Sequence, residues 1–69
     1  MTYLFKGNTV ENDLIPIEAE DKKDALKKFN EKYGTNYKFV TGSKFYYKYA
    51  VIAEEDYRHY NYSKYSYID

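Results

Sequence analysis

A chain of 69 residues makes one domain, and one so short buries only about 60% of the surface its unfolded form exposes, so its fold needs help beyond an ordinary core. The absence of cysteine excludes a disulfide framework and a thiolate zinc site, and a single histidine, His59, argues against a structural metal. Eleven basic residues balance eleven acidic ones, which argues against a general DNA-coating protein and equally against an acidic DNA mimic, and leaves local patches as the source of any electrostatic recognition.

Thr2 to Lys6 alternates around Tyr3 and Phe5 and predicts a first strand; the turn residues Gly7, Asn8, Glu11, Asn12 and Asp13 follow. Leu14 to Ala19 predicts a second strand with Ile15, Ile17 and Ala19 on one face. Pro16 has no N–H to donate, so this strand is expected at a sheet edge or with its Pro16 side unpaired. Asp21 to Tyr33 predicts a helix: Asp21 caps it, Asp24 favours the positive end of its dipole, and Gly34 ends it in the left-handed conformation that glycine adopts most cheaply. Ala25, Leu26, Phe29 and Tyr33 form one apolar stripe. Lys22, Lys23, Lys27, Lys28 and Lys32 occupy much of the remaining surface and read as a solvated face, with a phosphate-facing surface as the alternative.

The chain's most distinctive stretch is Tyr37 to Ala53, two runs of aromatic and β-branched residues around Gly42 and Ser43. Gly-X between such runs predicts a two-residue type II′ hairpin turn. That turn sets Val40 opposite Phe45, Phe39 opposite Tyr46, Lys38 opposite Tyr47 and Tyr37 opposite Lys48. Val40, Phe45, Tyr47, Tyr49 and Val51 then form a core face, while Tyr37, Phe39, Thr41, Lys44, Tyr46, Lys48 and Ile52 form a second, aromatic and basic face. After Ala53 the acids Glu54, Glu55 and Asp56 end the apolar run. The tail carries Tyr57, Tyr60, Tyr62, Tyr65 and Tyr67; it reads as extended with a bulge, although a short helix opening at Glu54 also fits. Residues 1–69 are thus expected to form a single small α+β domain, a ββαββ antiparallel sheet with one helix packed on one face and a tyrosine-rich C-terminal tail.

Catalytic chemistry finds little to work with. Ser43 sits in the expected turn, Ser63 and Ser66 lie in the tail, and His59 has no orienting acid at a recognisable spacing. No calcium-loop pattern or glycine-rich phosphate loop is present, and no cofactor or metal is expected. The chain therefore reads as a non-enzymatic binding protein, with Tyr37, Phe39, Lys44, Tyr46, Lys48, Tyr57, Tyr60 and Tyr62 as the candidate contact residues. Tyrosine suits a protein interface because it buries a large ring with few rotatable bonds. The same aromatic and lysine residues would also stack and neutralise single-stranded nucleic acid, a less favoured reading; in a third reading the tail merely covers the sheet.

No apolar run reaches the ~18 residues of a membrane span, and the start of the chain lacks the basic and apolar segments of a signal peptide, so a cytoplasmic location is expected. Arg58 is the sole arginine among many lysines, beside abundant tyrosine, asparagine and isoleucine. This usage suits A/T-rich codons, hence a low-GC bacterium or one of its phages or mobile elements. The expectation is an accessory factor that inhibits or modulates a host protein, with a weak homodimer as an additional state in which Glu54, Glu55 or Asp56 of one copy meets Lys44 and Lys48 of the other.

Overall fold

The computed structural model describes residues 1–8, 14–41 and 46–69. It is an α+β fold: a five-stranded antiparallel sheet in the order β2-β1-β4-β5-β3, with one main helix across one face. The strands are β1 (Thr2–Gly7), β2 (Leu14–Glu18), β3 (Phe39–Val40), β4 (Tyr49–Ala53) and β5 (Ser66–Ile68). The helix α1 spans Lys22–Tyr33; a short helix α2 (Glu54–Arg58) and a 3₁₀ turn at Tyr62–Lys64 lie between β4 and β5.

The first half follows from local chemistry. The Asp21 side chain accepts a hydrogen bond from Asp24 N at 2.8 Å, which satisfies one of the free N–H groups of the first helical turn, and Asp24 Oδ2 accepts from the N–H of Glu20, the residue before the cap, at 3.1 Å. Those bonds, first from Glu20 N and then from Lys28, hold the Asp24 carboxyl below its ordinary pKa. Gly34 stops the helix at φ 65°, where its N–H and that of Thr35 both donate to Asn30 O. β2, with Pro16 opposite Leu4, is an edge strand of the sheet, as a residue without an N–H requires.

On the α1 side, Ala25, Leu26 and Phe29 pack on Tyr3, Phe5, Ile17, Val51, Ala53 and Ile68. Phe29 is the centre of this layer. Its ring stacks on Phe5 with centroids 4.4 Å apart and planes 6° from parallel, and it meets Tyr33, Tyr37 and Tyr49 at 4.7, 6.0 and 5.0 Å. Leu4, Ala50 and Ile52, the alternate residues of β1 and β4, face the other side and are also buried. Here the chain after Ala53 folds back, with α2 against β1 and β4.

The stretch 37–53 departs from its expected pairing. Gly42, Ser43, Lys44 and Phe45 lie outside the described residues, so the turn itself is not described. The strands beside it, however, do not face each other. Phe39 is opposite Ile68 instead of Tyr46, and Lys38 exchanges both backbone hydrogen bonds with Asp69 instead of facing Tyr47. Lys48, expected opposite Tyr37, donates to Ile68 O at 2.8 Å. β5 has entered between β3 and β4.

The physical reason is burial. Between two strands Ile68 loses all its exposure, and β5 gains hydrogen-bonded neighbours on both edges, where a direct β3–β4 hairpin would leave the tail without a place in the sheet. The expected faces change as well. Bends at Tyr46 and Lys48 break the alternation, so Tyr47 lies against Tyr67 on the side away from α1, while Tyr49 and Val51 remain on the α1 side. Val40, opposite Tyr67, joins the side away from α1. Tyr37, expected on that second face, instead packs beside Phe29 and Tyr49. The tail is not continuously extended: the short helix at Glu54 forms, helped by three acids in its first turn and a 3.2 Å ion pair between Arg58 and Glu54.

Candidate functional site

The eight candidate contact residues do not form one surface. Tyr37 and Phe39 border a groove beside α1; Tyr46 and Lys48 are exposed before β4; Tyr57, Tyr60 and Tyr62 belong to the tail; Lys44 lies outside the described residues. Two arrangements result.

The first is the groove, of about 780 Å³, open to solvent between the face of α1 from Lys23 to Glu31 and residues 34–39. Leu26, Tyr37 and Phe39 supply its apolar lining, and Lys23, Lys27, Glu31 and Lys38 are its charged residues. Asn30 builds its wall. The carboxamide Oδ1 accepts from Tyr37 N at 3.1 Å and from the Thr35 hydroxyl at 2.8 Å, while Nδ2 donates to Tyr37 O at 3.0 Å. One side chain thereby fixes the path from Gly34 to β3.

The second is a set of tyrosines on the side of the sheet away from α1. Tyr47 and Tyr67 are in contact at 4.6 Å, Tyr65 and Tyr62 at 5.3 Å, and Tyr62 and Tyr60 at 6.4 Å. The inner rings are partly buried, whereas Tyr60 is 75% and Tyr62 58% exposed. The Tyr65 hydroxyl is buried with no hydrogen-bond partner, and burial first, then the neighbouring phenols of Tyr57 and Tyr62, pushes its pKa up to about 12. Tyr65→Phe should therefore stabilise the fold by about 1 kcal/mol in urea melts, since it removes an unsatisfied polar group and almost no volume. The alkaline behaviour follows in sign. Between pH 10 and about 12 the unfolded chain releases a proton that folded Tyr65 retains, so stability falls as pH rises through that window, and falls less in Tyr65→Phe.

The backbone of the tail carries a further feature. Tyr60 N donates to Tyr57 O and Asn61 N to Asp56 O, a helix ending of the same kind as at Gly34, and Tyr60 has φ 55°. At one helix end the chain places glycine in the left-handed position; at the other it places tyrosine, against a steric penalty of roughly 1 kcal/mol.

Lys22 shows that the helix lysines are not all solvated. Its Nζ donates to Lys64 O and to the Ser66 hydroxyl, tying α1 to the tail, and burial first lowers its pKa, opposed by the Asp56 charge. Lys28 pairs with Asp24 at 3.1 Å, and Lys32 sits over the Tyr33 ring. Sequence reasoning missed Leu26, Asn30 and the lysines 23 and 27 as groove residues because only the folded loop 34–38 brings them beside Phe39. It passed over Tyr65 because composition does not separate a buried tyrosine from an exposed one.

Among the described residues no three His, Asp or Glu side chains converge to hold a metal ion, and no helix is long and apolar enough to cross a membrane. Comparison with protein-family models, with curated proteins and with solved structures finds no match.

Proposed function

We propose that the chain is a non-enzymatic protein-binding factor whose contact surface is the exposed tyrosine rim of the tail, centred on Tyr60 and Tyr62. The observation that carries this reading is Tyr60 itself, an aromatic residue held in a left-handed conformation with its ring 75% exposed. Among the described rings Tyr60 meets only Tyr62, at 6.4 Å, and glycine or asparagine satisfies the same turn with less strain. An exposed aromatic residue kept at such a position is what a protein interface uses as an anchor. Tyr65 packs against Tyr62, which in turn meets Tyr60, while Tyr47 and Tyr67 pair with each other on the same side of the sheet. Net charge zero favours a protein over nucleic acid as the occupant.

Small size and the lysine-rich, arginine-poor composition support the finer reading, an accessory factor of a phage or mobile element that modulates a host protein in the cytoplasm. Weak self-association through the same rim is the second use of the surface. The test is capture from source-cell extract by the immobilised chain, compared with Tyr60→Asn and Tyr62→Ser. A partner retained by the parent should be lost, by roughly tenfold or more, from each variant. Equal retention by all three would place the interface elsewhere.

A further inference from the structure

β3 is the outer strand of the sheet, with no described strand beyond it. Its pairing decides which backbone groups point outward. Because Lys38 and Asp69 exchange both hydrogen bonds, antiparallel alternation turns the N–H and C=O of Tyr37 and Phe39 away from β5. At Tyr37 those two groups are already taken, by a carboxamide: Asn30 accepts from the N–H and donates to the C=O, the pair of bonds that a residue of a neighbouring strand would make. The edge thus shows one amide docked in strand fashion, and the next outward-facing residue, Phe39, borders the open groove.

The groove states what side chains would accompany such a strand. Its lining is apolar at Leu26, Tyr37 and Phe39, the last 39% exposed. Lys23, Lys27 and Lys38 lie around it with no ion pair among the described residues; Glu31 lies among them, and Asp69 is the residue opposite Lys38 at the end of the neighbouring strand. The geometry points to a peptide-binding edge: an extended segment of another protein, acidic with alternate apolar residues, adds to β3 at Phe39 and sets its apolar side chains in the groove with its carboxylates among the three lysines. A second copy fits less well, because two-fold pairing of β3 with itself brings Lys38 towards its own counterpart. Nucleic acid fits less well too, because Glu31 opposes phosphate and the outward backbone groups match an amide. This edge is separate from the tyrosine rim.

Fluorescence anisotropy tests it with a labelled peptide of alternating glutamate and leucine, its lysine and leucine counterpart, a glutamate and leucine peptide N-methylated on its alternate amides, and oligothymidylate as competitor. The expected result is saturable binding of the first peptide alone, weakened roughly tenfold by Lys27→Glu with Lys38→Glu, weakened by added salt, and unchanged by Tyr60→Asn in the tail. Both lysines are exposed, so the charge-reversed chain should keep the parent circular dichroism spectrum. Four outcomes would overturn the proposal: no binding below about 1 mM, equal binding of the lysine or N-methylated peptide, displacement by oligothymidylate, or a free protein already dimeric through this edge and dissociated by Lys38→Glu.

Discussion

Phe29→Ala should unfold the protein. The ring is 2% exposed and touches four other rings, and replacing such a residue by alanine removes about 3–5 kcal/mol through lost transfer energy and the cavity left behind. A domain of 69 residues has roughly 3–10 kcal/mol in total. The Phe5 ring stacked on Phe29 loses its partner, and Tyr37 loses the contact that seats the start of β3. Circular dichroism and a urea melt at 25 °C are the readouts. A two-state melt for Phe29→Ala within about 1 kcal/mol of the parent would mean that the α1 layer is not the main core.

Ile68→Ala has the second largest expected effect and decides the topology. Ile68 is fully buried, pairs with Phe39 on one side and Tyr49 on the other, and packs in the α1 layer, so its truncation should remove about 2–5 kcal/mol. If residues 37–40 instead paired with 45–48 through a turn at Gly42 and Ser43, Ile68 would sit in a tail outside the sheet and the same change would be nearly silent. Tyr46→Ser, at a side chain 78% exposed, is the matched control and should shift stability by less than about 0.5 kcal/mol.

How far the fold was legible depended on how local each signal is. α1 was readable from Asp21 to Gly34 because its cap, its stripe and its stop are all chemistry within a few residues. The edge position of β2 was readable because Pro16 lacks a donor wherever it sits. The α+β class followed from that strand and helix order. The neighbour of β3 was not readable: Gly42 and Ser43 speak for a hairpin locally, while the competing partner, β5, lies about 25 residues further on and is chosen by the burial of Ile68 between two strands. The bends at Tyr46 and Lys48 then reversed the side taken by Tyr47, which a strict two-residue alternation cannot anticipate.

The candidate site divides in the same way. Tyrosine content pointed to contact residues in the tail; Tyr60 and Tyr62 are exposed there and Tyr57 is partly buried. Their backbone setting was hidden, because no sequence rule assigns a left-handed conformation to a tyrosine where glycine is the norm. Asn30 was equally silent: an asparagine in the last turns of a helix acquires its role only once Tyr37 comes within 3.1 Å of its carboxamide.

If Tyr60 is held for a partner and not for the fold, as proposed above, the urea melt of Tyr60→Gly will show it. Glycine fits φ 55° without a Cβ penalty, and the ring that it removes is three-quarters exposed, so little burial is lost. The steric relief is offset in part by the greater freedom of glycine in the unfolded chain. Tyr60→Gly should be at least as stable as the parent, by up to about 1 kcal/mol. A loss of more than about 1 kcal/mol would show that the Tyr60 ring supports the tail and the sheet beneath it, and that it is held for the fold and not for a partner.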